Sequence, residues 1–211
     1  MHVKKDSTEE KILEAAKSVF VRKGMEGARM QEIADEAKIN KALLHYYFRS
    51  KEKLFDAILN QIIQIAFPRI GQVISSDLEF KVKVEQVVDA YLDMLLKHPF
   101  LPGFILTEFS RDPSVIFKLA VKYGLNIQPV LQTINEAMDR GEIVRMRPEH
   151  LVVNIISLCV FPFAAKPAIS FAAFNEDKEA LRVFFEERRQ EVKAFVLRAI
   201  EPEKKGGKVE G

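Results

Sequence analysis

Apolar residues in this chain recur at spacings of three and four almost throughout, rather than in the strict alternation of a half-buried strand. That period is one face of an α-helix, so the pattern predicts an all-α fold. Ser7 with Glu10 three residues on reads as a capping-box start. Ile12, Ala15, Ala16, Val19 and Phe20 then form the stripe of a first helix that Gly24 ends. A second helix is expected over 30–37, with Ile33, Ala34 and Ala37 on one side, and a tight break at Lys38-Ile39-Asn40. A third covers 41–48, placing Leu44 and Phe48 one turn apart. Ser50 can cap a fourth, apolar at Leu54, Phe55, Ile58, Leu59, Ile62 and Ile63, which Pro68 and Gly71 kink or loosen. Further helices are expected at 79–97, 101–110, 113–140, 149–165 and 177–200, about nine in all. The breaks fall at His98-Pro99, Pro102-Gly103, Asp112-Pro113, Gly141, Pro148 and around Pro167. Residues 202–211 read as a flexible tail.

With 48 % of its 211 residues hydrophobic, the chain can bury a substantial core. No apolar run reaches the roughly 18 residues of a membrane span, and no signal peptide is evident at Met1–Asp6. The single cysteine, Cys159, permits no internal disulfide and no zinc set, so a reducing cytoplasm is the expected setting. Net charge is +2, but residues 1–55 hold twelve Lys/Arg against nine Asp/Glu, and 37–53 hold Lys38, Lys41, Arg49, Lys51 and Lys53 against Glu52 alone. A basic stripe on a near-neutral chain suggests a localised polyanion contact, although a short charge run is ordinarily a solvated face.

The stripe coincides with a short helix, a turn and a second short helix, the spacing of a helix-turn-helix. The second helix of such a unit lies in the DNA major groove. Here it would turn Leu44 and Phe48 inward and Lys41, Ala42, His45 and Tyr46 outward, with Tyr47 at the edge. Lysine can donate to guanine acceptors, and small groups can touch thymine methyls. Tyrosine hydroxyls, and the amides and Lys51 at the start of the fourth helix, suit phosphate oxygens.

These residues resemble the TetR-type transcriptional repressors. The matching string runs from Gly24 through Ile33-Ala34, Ala37, Ile39, Lys41, Leu44, Tyr46-Tyr47-Phe48 and Ser50-Lys51-Glu52 to Leu54-Phe55. The departures are Ala28, where the family often has a capping threonine, Lys38 in place of the turn glycine, Ala42, Leu43 and His45. By position, the resemblance implies that Lys41, Ala42 and His45 face bases with help from Gln31. Tyr46, Tyr47 and Lys51 would hold phosphates, and Arg29 would take over part of the backbone anchoring. It also implies a DNA-binding domain at 1–52 and, at 53–201, a helical domain that binds a small molecule and forms a homodimer through its last two helices.

Phe67, Tyr91, Met94, Phe104, Phe109, Phe117, Tyr123 and Phe161 are candidates to line an apolar pocket, although each alone could be ordinary core. Val152, Ile155, Ile156, Cys159 and Phe163 form one apolar stripe; Leu181, Phe184, Phe185, Arg188, Val192 and Phe195 form another. Both could pack on their own domain, and both suit an isologous four-helix interface. His2, His45, His98 and His150 offer no i, i+4 pairing, so no metal or other cofactor is expected. Paired carboxylates on an apolar face, a Gly-rich phosphate loop and a nucleophile motif are missing, which argues against an enzyme. The expectation is a homodimeric repressor on a pseudo-palindromic DNA operator, released by a small lipophilic ligand and without a membrane partner. A protein of the same fold that binds DNA without an effector is the alternative.

Overall fold

A computed structural model describes residues 2–103, 105–106, 112 and 114–202. Ten helices are delimited: α1 (His2–Gly27), α2 (Met30–Glu36), α3 (Lys41–Tyr47), α4 (Lys51–Ile74), α5 (Phe80–Lys97), α6 (Ser114–Lys122), α7 (Ile127–Asp139), α8 (Pro148–Ala164), α9 (Lys166–Phe174) and α10 (Lys178–Ile200). Residues 101–103 and 105–106 are also helical, and no strand occurs among the described residues. The fold is all-α, as the periodicity requires.

Three local expectations are corrected. The first helix begins at His2, ahead of the Ser7 start. The single helix expected over 113–140 is two. Gly124 adopts φ 83°, a left-handed value that glycine tolerates, and Asn126 starts α7 by accepting from the Gln128 amide at 3.1 Å. The break expected around Pro167 is instead the first turn of α9, where a proline loses no helical hydrogen bond. Asn175 and Glu176, both at positive φ, end α9, and Asp177 caps α10 by accepting from the Glu179 and Ala180 amides. Pro68 and Gly71 lie inside α4, which continues to Ile74. Phe104, Phe109 and Pro113 lie outside the described residues, as does the tail apart from Pro202.

The chain divides into two compact units, residues 1–67 with 94–123 and residues 68–93 with 124–211. In the first, Ile12, Ala16, Phe20, Ile33, Ala34, Leu44, Leu54, Phe55 and Ile58 are fully buried. Phe20 lies 5.5 Å from Phe55 and 6.1 Å from Phe100, ring centre to ring centre, an aromatic cluster within this unit.

In the second unit, Val88, Cys159, Val192 and Ile200 are fully buried. Phe163 and Phe185 bring α8 and α10 together with ring centres 4.8 Å apart. Arg189 of α10 pairs with Asp93 and, at 3.2 Å, with Asp89, and Lys193 reaches Asp89 at 2.7 Å. Gly71 approaches Gly124 so closely that a Cβ there would stand 2.9 Å from the Gly124 carbonyl oxygen. Among the described residues no single helix is long and apolar enough to cross a membrane; α8 and α9 pass that test only jointly, across a 75° bend.

Candidate nucleic-acid interface

Helices α2 and α3 are each only seven residues long, too short to persist alone, so their ends and their packing must hold them. Arg29 is extended at the start of α2, and its amide donates to the Glu32 carboxylate at 3.3 Å. A guanidinium accepts no hydrogen bond, so only this backward half of a capping box exists. Helix α2 ends in a paired closure: the Lys38 amide bonds to Asp35 O at 3.1 Å and the Ile39 amide to Ala34 O at 3.0 Å. That motif wants a left-handed residue at its hinge, and Lys38 supplies it at φ 56°.

Asn40 caps α3 by accepting from the Leu43 amide at 2.7 Å. Phe48 leaves the helix in extended conformation and is buried beside the fully buried Leu44. Ser50 then accepts from the Lys53 amide at 3.3 Å and starts α4. The entry and exit of α3 are thus set within a dozen residues by local side-chain chemistry.

The opposite side of α3 faces solvent. Lys41, Ala42, Leu43, His45 and Tyr46 are exposed, Tyr46 at 73 %, and the half-buried Tyr47 meets the Tyr46 ring edge-on at 5.5 Å. Lys38, Lys41 and Arg49 have no carboxylate partner among the described residues, whereas Lys53 lies 3.7 Å from Asp56. Lys51 directs its ammonium to the Glu26 carbonyl at 3.4 Å, tying the start of α4 to the end of α1. Gln31 is engaged by Asp35 of its own helix at 2.8 Å, and Arg29 is exposed.

A lattice of ion pairs between α1 and α2 escaped the sequence reading. Arg22 pairs with Glu36 at 2.8 Å, Ser18 donates to the same carboxylate at 3.0 Å, and Lys23 pairs with Glu32. The hydrogen bond from Arg22, then that from Ser18, holds the Glu36 carboxyl below its usual range; Lys23 does the same for Glu32. The available signal was two adjacent cations just ahead of Gly24 in α1 facing acids four apart on α2.

The expected pocket residues that are described differ widely in burial. Met94 is buried; Phe67, Tyr91 and Tyr123 are half-buried; Phe117 and Phe161 are largely exposed, Phe161 at 64 %. Phe67, Met94, Phe117 and Tyr123 belong to the first unit, Tyr91 and Phe161 to the second. Tyr123 donates to Asn60 Oδ1 at 3.2 Å. Phe117 borders an open depression of about 600 Å³ along α6 with Ser114, Lys118 and Val121.

Of the expected interface residues, Cys159, Phe163, Leu181 and Val192 are buried within their own chain. Val152, Ile155, Phe184, Phe185 and Arg188 are half-buried, and Ile156 and Phe195 are exposed. Burial pushes the Cys159 thiol up to about 12, against a smaller opposing pull from Arg188. The Tyr91 hydroxyl is raised above its ordinary range, chiefly by burial and then by the neighbouring Cys159.

Residues 12–58, the segment that contains α2, α3 and the start of α4, match the family model of the bacterial regulatory proteins, tetR family. The HTH-type transcriptional repressor NicS of Pseudomonas putida is 34 % identical over 182 residues, covering 83 % of this chain and 85 % of its own length. The HTH-type transcriptional regulator RutR of Escherichia coli is 24 % identical over 195 residues, 90 % and 89 % of the two chains. The crystal structure of a TetR/AcrR-family transcriptional regulator from Thermobifida fusca superposes with a TM-score of 0.62 at 16 % identity, over 88 % of this chain and 96 % of that one, a likeness of fold. The short capped pair α2–α3, and a relative similar over most of its length, lead to one conclusion: the chain belongs to the TetR family of helix-turn-helix transcriptional regulators.

Proposed function

We propose that the chain represses transcription by laying α3 in the major groove of a pseudo-palindromic operator. One observation carries this reading: α3 is capped at its start, pinned by a single inward leucine, and turns Lys41, Ala42, His45 and Tyr46 to solvent beside cations without acid partners. Cations left unpaired on one face favour phosphate, because binding there releases condensed counterions. Lys41, Ala42 and His45 then meet base edges, with Gln31 near them once it leaves Asp35. Tyr46, Tyr47, Lys51 and Arg29 hold the backbone on either side.

Residues 1–52 act as the DNA-binding head, and residues 53–201 as the part that dimerises and binds a small lipophilic effector. Two heads of a homodimer would reach successive major grooves about 34 Å apart. Release by an effector requires that it bind one head spacing more tightly than the other. A cytoplasmic setting goes with this role.

The test begins by selecting duplexes from a random pool with the purified chain and measuring their affinity by fluorescence anisotropy against salt. Lys41→Ala and Tyr46→Ala should each weaken binding by about 1–3 kcal/mol, the variants remaining folded by circular dichroism. Unchanged affinity in both would refute the role of α3.

A further inference from the structure

Arg188 of α10 has no acid partner among the described residues. It donates from Nη2 to Leu158 O at 2.9 Å, and its Nε is buried without an acceptor among the described residues. Its neighbour Arg189 pairs with both Asp89 and Asp93. A half-buried cation without counter-charge is costly, and a covered N–H without a partner asks for an explanation. Three residues further along the same helix, Glu191 is exposed and also has no cation partner among the described residues.

Phe184, Arg188, Glu191 and Phe195 follow one another at intervals of four, three and four, the rhythm that keeps side chains on the seam between two packed helices. Phe195 is 57 % exposed, while Phe184 is half-buried against Phe174 at 5.4 Å. Along the helix the seam therefore reads apolar, basic, acidic, apolar. Run antiparallel against a copy of itself, that order is self-complementary. The pairs Phe184 with Phe195 and Arg188 with Glu191 share one midpoint, between Arg189 and Gln190. A single two-fold axis there satisfies all four positions at once.

We propose that α10 packs antiparallel on α10 of a second copy across this seam, each Arg188 pairing with the partner's Glu191 and each Phe184 meeting the partner's Phe195. The inference rests on the homodimer of the proposed function and deepens it, since it fixes the register and names a counter-charge for Arg188, which has none among the described residues. The two ion pairs flank the axis and the aromatic contacts shield them from water, which strengthens a charge pair.

Sedimentation equilibrium on the full chain, Arg188→Glu, Glu191→Arg and the double reversal tests this. Each single reversal sets like charges opposite one another at two symmetric places, and self-association should weaken roughly a hundredfold. The double reversal should return it to within about tenfold of the parent. Glu191 is exposed, so Glu191→Arg keeps the fold even where Arg188→Glu does not.

A second measurement is disulfide trapping. Phe184→Cys combined with Phe195→Cys should give covalent dimers on oxidation, and neither alone should, because eleven residues of helix separate like positions by about 16 Å. A dimer indifferent to Glu191→Arg, a double reversal that fails to restore association, or cross-linking through one cysteine alone would overturn the register and leave the dimer standing. A parent chain that stays monomeric at every concentration would overturn both.

Discussion

Replacing Lys38 with glycine should stabilise the protein, even though it deletes a charge and a side chain. Lys38 holds φ 56°, where an L side chain crowds the following carbonyl at a cost of roughly 1–2 kcal/mol. Both hydrogen bonds that close α2 there are made by backbone atoms, Lys38 N to Asp35 O at 3.1 Å and Ile39 N to Ala34 O at 3.0 Å, so they survive the change. The lysine ammonium has no carboxylate partner among the described residues, and no ion pair is lost. Against the relief of strain stands the extra freedom of glycine in the unfolded chain, about 0.4–1 kcal/mol. The difference is a gain of about 0.5–1 kcal/mol, or roughly 1–4 °C in Tm for a chain of this size. Urea and thermal unfolding followed by circular dichroism would measure it, with two controls. Lys38→Ala keeps the strain while removing the charge, and Lys38→Val adds a β-branched side chain to a region that excludes one. The expected order of stability is glycine above lysine and alanine, with valine lowest. Glycine no more stable than alanine would refute the strain argument. Loss of the cation should also flatten the salt dependence of DNA binding by about one unit if Lys38 lies near phosphate.

Gly71→Ala should destabilise by about 1–3 kcal/mol, because its Cβ would stand 2.9 Å from a backbone oxygen that cannot rotate away; an unchanged urea midpoint would disprove that contact. Cys159, its thiol raised to about 12 by burial, should resist iodoacetamide at neutral pH in the native protein and react once urea unfolds it, so rapid native labelling would contradict the packing. His98 lies half-buried with its ring 6.0 Å from Phe100, and burial, then Lys17 and Lys97, lowers its pKa. The unfolded chain therefore binds that proton more readily. Stability from this group is complete above its ordinary value of about 6.5 and falls as pH drops through the folded value. His98→Gln should flatten that part of the stability profile, and an unaltered slope would refute the assignment.

The sequence displayed some parts of the molecule far better than others, for physical reasons. The α2–α3 turn was readable because everything that makes it is local: the cap at Asn40, the left-handed hinge at Lys38, and inward Leu44 and Phe48 one turn apart. The exposed face of α3 followed from the same period. The division at Gly124 was not readable, because apolar residues keep helical spacing on both sides and one glycine is a weak stop without its Asn126 cap. Pro167 misled for the converse reason, since proline ends one helix or begins another according to position.

Contacts that depend on how helices meet were invisible. Arg22 finds Glu36 fourteen residues away only once α2 folds back on α1. Arg188 and Arg189 are identical neighbours, yet about 100° of helical rotation gives one two aspartates and leaves the other with a carbonyl. Aromatic composition, finally, carries no address. Met94 and Phe161 were equal candidates in sequence, and one is buried while the other is 64 % exposed.

The brevity of α3 has a thermodynamic consequence. Seven residues cannot hold a helix in water, so this surface exists only in molecules whose first unit is folded. Apparent DNA affinity then equals the intrinsic affinity scaled by the folded fraction. Warming toward the midpoint of the head should cost affinity in proportion to the population lost, whatever happens to the DNA contacts themselves. Operator DNA should in turn raise that midpoint with concentration, so duplex affinity and thermal denaturation report a single equilibrium from opposite ends.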